Sequence, residues 1–396
     1  MTCRGPPRAK WRRSKQFESG RDIFRDAASF HGQIFQRPAG EAVHIRGLAA
    51  RALGLVRFGN WWTHKIPPLL LVVYVELIRR HAPLGASVAA ICVLVFCVSC
   101  VAAYGHVVND WCDIADDERA GKPNAMRDVR VVQRAALCVG LLLAGFVVLA
   151  PFSNAWPARI ALAVNYLWPT LYSIPGVRLK ERGLLGVLSD AAGSHITPTL
   201  FALAVAGFFV PGPANAVVFA ALLLWATVLG IKGILYHMIA DRANDETAGV
   251  DTFVATFDVS RLFAVLARYN LLVELPVSIV LTVVVAAFLP LAVAALVVYL
   301  ALESTKYALG FEFAVSSDAR LRRASVPFAN EMFYTLWLPL AAAVQLALHS
   351  VWFAWLPFVH GLLFQQQIAV QIGDTRAVIS QLKARFSHLR SRRIHR

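Results

Sequence analysis

Ten apolar stretches, each about as long as a helix that crosses a bilayer, constrain the fold of this chain more than any other feature. Most of them are uninterrupted, which argues against the short alternating strands of a membrane barrel. The mean hydropathy of +0.57 and the 58% hydrophobic content exclude a soluble protein. The stretches are 62–80, 84–106, 131–151, 157–176, 184–209, 214–239, 266–289, 290–310, 332–349 and 351–371. We predict an all-α polytopic membrane protein with nine or ten transmembrane helices.

The basic residues that give the chain its net charge of +15 are unevenly distributed. Residues 1–60 hold twelve Lys or Arg and four acidic residues, and residues 374–396 hold seven and one. Because basic segments stay on the cytoplasmic side, we expect both ends in the cytoplasm, in a multi-pass protein of a bacterial plasma membrane. Membrane lipid is the expected partner of such segments, and no nucleic-acid partner is predicted.

The chain reads as one membrane domain with basic ends. We predict a disordered or membrane-surface arm over 1–55, a transmembrane domain over 56–372 and a basic cytoplasmic tail over 373–396. A cytoplasmic tail requires an even number of crossings, so 332–349 and 351–371 are expected to be two crossings joined by a tight turn. The alternative is a single crossing followed by an interfacial helix, which would place the tail outside.

Two acidic runs stand where long apolar stretches end. They are Asn109, Asp110, Asp113 and Asp117 in the first run, and Asp241 and Asp245 in the second. At helical pitch, residues four apart lie on one face, so each run presents oxygen atoms on one side of a helix. Two such faces turned together would form a strongly negative, oxygen-lined pocket, a ligand set that Mg²⁺ prefers. The alternative is a pair of solvated helix ends with ordinary surface carboxylates.

Two polar loops supply positive charge near these runs. Lys122 follows the first run, and the segment 172–180 adds Tyr172, Arg178 and Lys180 between the fourth and fifth stretches. A pocket of carboxylates would repel a polyphosphate unless metal ions and basic side chains offset its charge. The combination therefore predicts a diphosphate held between Mg²⁺ and the basic loops.

The chain resembles the UbiA-type intramembrane prenyltransferases. The first family signature, Asn-Asp-x-x-Asp-x-x-x-Asp, is met by Asn109, Asp110, Asp113 and Asp117. The second, Asp-x-x-x-Asp with a glycine four residues on, is met by Asp241, Asp245 and Gly249. The loop pattern Tyr-Ser-x-Pro-x-x-Arg-x-Lys is met by Tyr172, Ser173, Pro175, Arg178 and Lys180. Three motifs in the right order and spacing, over about residues 55–310, make this a specific resemblance.

The resemblance implies a bundle of about nine helices with a central cavity, whose motif loops cap the cytoplasmic side. It implies two Mg²⁺ ions that hold an isoprenyl diphosphate and assist its ionisation, after which the allylic cation alkylates a lipophilic or aromatic acceptor. On this view Asn109, Asp110 and Asp113 serve one ion, and Asp241 and Asp245 serve the other. Asp117 is expected to orient the site, and Lys122, Tyr172, Arg178 and Lys180 to bind the diphosphate.

The chain also departs from the family pattern. The usual Arg-Thr-x-x-Arg-Pro run after the first motif is replaced by Lys122-Pro123-Asn124-Ala125-Met126-Arg127, and Asp251 stands where many relatives carry a basic residue. These changes leave the acceptor and the role of residues 311–396 open. Three other functions stay in view: a UbiA-type terpene cyclase, a polyprenyl-phosphate phosphoribosyltransferase of the same fold, and a cation-coupled membrane transporter.

Overall fold

The computed structural model describes residues 47–250, 252–312 and 326–394. Residues 1–46 of the predicted arm and Asp251 lie outside this described part of the chain. Within it the ordered elements are helices and no β-strand occurs, which confirms the all-α prediction. The first helices are α1 Leu48–Leu55, α2 Phe58–Arg79, α3 Leu84–Cys112, α4 Ile114–Arg119, α5 Val131–Leu149, α6 Trp156–Ser173, α7 Leu184–Ala191 and α8 Thr197–Phe209. The remaining helices are α9 Ala216–Ala248, α10 Val259–Tyr269, α11 Leu275–Val285, α12 Leu291–Leu309, α13 Leu338–His349, α14 Leu356–Leu363 and α15 Gln365–Ile394.

Six helical segments of the described chain are long and apolar enough to cross a membrane. They are Leu84–Cys112, Val131–Leu149, Leu184–Phe209, Ala216–Ala248, Arg261–Val285 and Leu291–Leu309. Two shorter apolar helices, Phe333–His349 and Val351–Leu363, follow. These lengths confirm an integral membrane protein, whereas the count of nine or ten crossings stays a prediction.

Short π-helical turns join several of these helices into longer segments. Ala192–Ile196 links α7 to α8, Asn270–Glu274 links α10 to α11, and Phe333–Trp337 precedes α13. A π turn shifts the register of the side chains that follow it and is often found at functional sites. Here two of the turns carry ionisable residues, His195 and Glu274, which lie inside apolar segments.

Helix α2 lies at the centre of the bundle. Every residue from Ile66 to Ile78 is buried, and α2 packs against α3, α8 and α13. The core around it is built from large apolar side chains, including Trp61, Tyr74 and Phe201. By contrast, α5 exposes a valine and leucine face that includes Val139 and Leu143, as expected of a helix in contact with lipid.

The chain after α13 returns along α2. The His349 ring lies 6.3 Å from that of His81, His360 is 3.4 Å from the Tyr74 hydroxyl, and Phe364 stacks on Trp62 at 5.7 Å. The segment 351–364 therefore follows α2 back from its C-terminal end to its N-terminal end. The boundaries at residues 55 and 372 stay predictions, since α1 falls within the predicted arm and α15 runs across residue 372.

Helix ends place both acidic runs at one end of the bundle, which we call the motif end. Helix α3 stops at Cys112 because Asp113 leaves the helical conformation, and the short α4 continues the first run. Helix α9 carries the second run in its last turns and ends at Gly249, whose φ of 72° suits a residue without a Cβ. Helix α4 packs against α9, so the two runs meet.

Candidate active site

Asp110 is the most deeply buried acidic residue of the motif end. Its side chain is 0% exposed, and Oδ2 lies 2.8 Å from Nε of Arg57, at the start of α2. Neither carboxylate oxygen accepts a hydrogen bond of ordinary geometry from the described residues. A buried carboxylate that faces a single basic side chain keeps lone pairs for a further cation, which is the chemistry of a metal ligand.

Asp113 is held by the loop between α6 and α7. Lys180 Nζ donates to Asp113 Oδ1, and Arg178 Nη2 lies 3.4 Å from the same oxygen. Arg178 has a φ of 40°, a left-handed conformation that is unusual for a residue with a Cβ. Its backbone amide donates to the Ile174 carbonyl at 2.9 Å, which closes the turn that points Arg178 and Lys180 at the first run.

Asp116 was not predicted as a site residue, yet it binds the same loop. Arg178 and Arg119 both donate to its carboxylate. Partial burial raises the pKa of Asp116, but the hydrogen bond and charge of Arg178 outweigh it, so the pKa lies below its ordinary value. The same contacts raise the pKa of Arg178, although its burial alone would lower it. Asp116 therefore helps to fix Arg178 beside Asp113.

Asp117 belongs to the loop side of the first run. Asn124 Nδ2 donates to Asp117 Oδ2 at 2.7 Å and to the Asp110 carbonyl at 2.8 Å, and Asn124 Oδ1 accepts from the Met126 amide at 2.8 Å. Burial raises the pKa of Asp117 above its ordinary value, and the Asn124 hydrogen bond only partly offsets it. Asn124 thus closes the loop over the first run.

The second run joins the first through Lys122. Lys122 Nζ donates to Asp241 Oδ2 at 3.5 Å, and His237 Nε2 lies 3.5 Å from the same oxygen. Asp245 is half-buried one turn further along α9 and interacts electrostatically with Asp241, Lys122 and Lys180. Carboxylates from α3, α4 and α9 and cations from two loops therefore share one site.

The remaining predicted residues lie at the end of α6. Ser173 Oγ donates to Asn109 Oδ1 at 3.2 Å, which links the third motif to the first. Tyr172 is half-buried beside it and interacts electrostatically with Asp113, Asp241 and Asp245. All ten predicted site residues are thus gathered at the motif end.

The carboxylates are now occupied by basic side chains. Over residues 47–250, 252–312 and 326–394, no group of three or more His, Cys, Asp or Glu side chains is arranged to hold a metal ion as it stands. Arg57, Lys180 and Lys122 each lie against a carboxylate of the runs. The oxygen donors fit Mg²⁺, and Asp110 supplies buried oxygens that accept no hydrogen bond of ordinary geometry from the described residues.

Comparison with known proteins identifies the family. The sequence model of the UbiA prenyltransferase family matches residues 66–312. The chain belongs to the UbiA prenyltransferase family. No curated protein sequence matches it. The matched range contains every predicted site residue, while Arg57 lies outside it.

A solved structure of a UbiA homologue has the same fold. One from Archaeoglobus fulgidus, bound to GPP and Mg²⁺, superposes with a TM-score of 0.53 at 14% identity and covers 77% of this chain and 99% of its own. A structure of a homologue from the same organism, bound to DMAPP and Mg²⁺, gives a TM-score of 0.46 at 13% identity over 81% and 98%. The first likeness confirms a UbiA bundle for this chain.

Sequence reasoning missed Arg57, Asp116 and Asn124 as members of the site. Asp116 and Asn124 lie beside motif residues, so their positions in the first run and its loop were the available signal. Arg57 lies 53 positions before its partner and counted only as one of many basic residues of the N-terminal segment. No spacing rule joins such a pair, because the fold alone brings them together.

Proposed function

We propose that this protein is an Mg²⁺-dependent intramembrane prenyltransferase that ionises an isoprenyl diphosphate and transfers the prenyl group to a lipophilic or aromatic acceptor. The observation that carries the proposal is the junction of two acidic runs, through Lys122 and Asp241, around the buried Asp110. Membership of the UbiA family supports the same reaction class.

The donor set suggests two ion positions. Asn109, Asp110 and Asp113 would hold one Mg²⁺, and Asp241 with Asp245 would hold the other. Bound ions would supply positive charge at the diphosphate, where negative charge grows as the allylic C–O bond breaks. Asp117, tied to Asn124, keeps the loop of the first run in place.

The basic side chains serve the diphosphate in this proposal. Lys122, Arg178 and Lys180 now neutralise Asp241, Asp116 and Asp113. When metal ions bind the carboxylates, these cations become available to bind phosphate oxygens. Tyr172 stands beside them with a hydroxyl that can donate to the same group. Basic ends of the chain favour a cytoplasmic position for this site.

Diphosphate release tests the proposal. Purified protein with geranyl, farnesyl or geranylgeranyl diphosphate and Mg²⁺ should release diphosphate, and Asp110→Asn or Asp241→Asn should lower the rate about 100-fold or more, as expected for loss of a metal ligand. Asp128→Asn is a matched control, because Asp128 is exposed in the loop after the first run and carries the same charge. Equal release by wild type and both site variants would contradict the proposal.

Mass spectrometry of the products separates the remaining functions. Lipid extract incubated with the protein and each donor should yield a prenylated acceptor. Products formed from the diphosphate alone would instead indicate a terpene cyclase, and consumption of phosphoribosyl diphosphate a phosphoribosyltransferase. Flux of a substrate across vesicles without diphosphate release would indicate a transporter.

A further inference from the structure

Helix α15 lies across the motif end of the bundle. Its first turns contact three different elements at nearly the same depth. Gln367 donates to the Thr63 carbonyl of α2 at 2.9 Å, Trp337 before α13 donates to Gln371 at 2.8 Å, and Lys306 of α12 donates to Asp374 at 2.7 Å. Thr63, Trp337 and Lys306 each lie about one helical turn from an end of their own helical segment. A helix that meets three neighbouring elements at one depth runs across them.

The three contacted elements share the motif end. Helix α2 begins there, beside Asp110. Helix α13 ends at His349, which lies 6.3 Å from His81 at the other end of α2, so α13 starts from the motif end. Helices α10 and α11 lead away from the end of α9, and the short connection 286–290 returns the chain, so α12 finishes at the motif end as well. Because α9 and α12 are long and apolar enough to cross a membrane, the motif end lies at one membrane surface.

A buried ion pair fixes α15 at this level. Lys306 is 1% exposed and lies 2.6 Å from Glu303 and 2.7 Å from Asp374. Further along α15, Arg385 donates to the carbonyl of Leu309, the last residue of α12, at 3.1 Å. About 16 Å of helix separates Asp374 from Arg385, yet both contact the last turn of α12. Helix α15 therefore passes over the end of α12 along the membrane surface.

One face of α15 exposes large apolar side chains. Ile372, Ile379 and Phe386 are 45, 46 and 68% exposed. Because they are spaced seven residues apart, they form a row along one side of the helix, which we call the apolar row. Val378, on the neighbouring side, is 5% exposed and packs towards the bundle. The apolar row is thus left uncovered by the described residues of the protein.

Basic side chains accompany the apolar row. Arg376 and Lys383 are exposed, and each follows an isoleucine of the row by four residues, so they lie on the same face. Such side chains can lay their apolar stems along a hydrocarbon surface and keep their charges in the headgroup layer. Ala384 is exposed on nearly the opposite side from Phe386. An apolar row flanked by Lys and Arg is typical of a helix that lies in a membrane surface.

Charge decides between a lipid surface and a second copy of the chain as the cover of this row. Residues 374–396 hold seven Lys or Arg and one acidic residue. Two copies of α15 packed through the apolar row would bring like charges together, which is unfavourable. An anionic lipid surface attracts the same charges.

We propose that residues 372–386 of α15 bind the membrane leaflet at the motif end. In this arrangement the apolar row lies among the acyl chains, and Arg376 and Lys383 bind the headgroups of anionic phospholipids. The proposal gives a role to a part of the chain that follows the family match, and it holds whichever reaction the acidic runs support.

Photocrosslinking in nanodiscs with equal amounts of phosphatidylglycerol and phosphatidylcholine tests this surface. p-Benzoylphenylalanine replaces Phe386 in one full-length variant and Ala384 in another. Mass spectrometry should detect lipid adducts mainly at position 386, and they should contain mostly phosphatidylglycerol. One basic residue near an anionic surface strengthens binding about fivefold, so Arg376→Gln with Lys383→Gln should lower the ratio of phosphatidylglycerol to phosphatidylcholine adducts about fivefold or more. Arg51→Gln, which removes an exposed charge from α1, should keep the ratio.

Three results would overturn the proposal: no lipid adduct at position 386, equal yields of adduct at the two positions, or a covalent dimer as the main product, which would show that a second copy covers the row. A lipid ratio that the paired charge variant leaves unchanged would refute the binding of anionic headgroups by Arg376 and Lys383. Should the variant at Phe386 fail to fold, Ile379 offers a second position on the apolar row, with the same control at Ala384.

Discussion

Replacing Arg57 by alanine should destabilise the metal-free protein and make its stability depend on Mg²⁺. Arg57 is the cation that lies 2.8 Å from the fully buried Asp110. Two unit charges about 4 Å apart attract by about 4 kcal/mol at an effective dielectric constant of 20. Removing one partner of a buried ion pair costs about 3 to 5 kcal/mol. Because Arg57 is 23% exposed, water screens part of the attraction, and we expect a loss of about 3 kcal/mol.

Thermal unfolding in detergent, with EDTA and with Mg²⁺, measures this effect. A loss of about 3 kcal/mol should lower Tm by about 4 °C in EDTA. Mg²⁺ at one hundred times its Kd stabilises by about 2.7 kcal/mol, so it should recover most of the loss. In wild type the ion must displace Arg57 from Asp110, and the gain in Tm from Mg²⁺ should be smaller.

Two controls isolate the charge. Arg57→Lys keeps a cation beside Asp110 and should lose less stability than Arg57→Ala. Arg51→Ala removes an exposed arginine of α1 and should leave Tm unchanged. If Arg57→Ala and wild type have the same Tm in EDTA, then the stability of Asp110 does not depend on Arg57. If Mg²⁺ raises the Tm of both proteins equally, then the ion does not take the place of Arg57 at Asp110.

Three further predictions concern packing, the buried ion pair and pH. Gly230→Ala should destabilise by about 1 to 3 kcal/mol in thermal unfolding, because its Cβ would lie 2.9 Å from backbone atoms of α7, whereas Gly140→Ala meets nothing within 4 Å and should be neutral or slightly stabilising. Lys232→Met should lower the free energy of unfolding by about 3 to 5 kcal/mol, because the buried carboxylate of Glu274 would lose its cation. An unchanged Tm would refute this. The low pKa of Asp116 in the folded protein gives stability that is present above the unfolded pKa of about 3.9 and is lost as pH falls through the folded value. Arg178→Gln should weaken this acid dependence of Tm, and an unaltered profile would argue against their pairing.

The sequence predicted the membrane helices and the motifs because both are local patterns. An apolar run indicates by its own composition that it lies in an apolar environment. Carboxylates four residues apart on a helix lie on one face, whatever the rest of the chain does. The three motifs are therefore found where spacing placed them, at helix ends on one side of the bundle. The number of membrane crossings was harder to predict from the sequence, because the stretch 351–371 is divided between a 3₁₀ turn, the eight-residue α14 and the start of α15.

The electrostatic partners of the site could not be predicted in the same way. Arg57 and Asp110 are brought together by the packing of α2 against α3, and Glu331 meets His64 across 267 positions of sequence. Such pairs depend on which helices are neighbours, and hydropathy does not specify neighbours, since lipid and protein interiors are equally apolar.

The sequence by itself thus determined that the chain forms helices in a membrane. It also determined that two oxygen-rich motifs and two basic loops lie where apolar stretches end. Only the tertiary structure decided that the basic side chains lie on the carboxylates, that Lys122 joins the two runs, and that Glu331 lies beside His64. The physical reason is that composition and period fix the environment of each segment, whereas ion pairs depend on distances that arise when the helices pack.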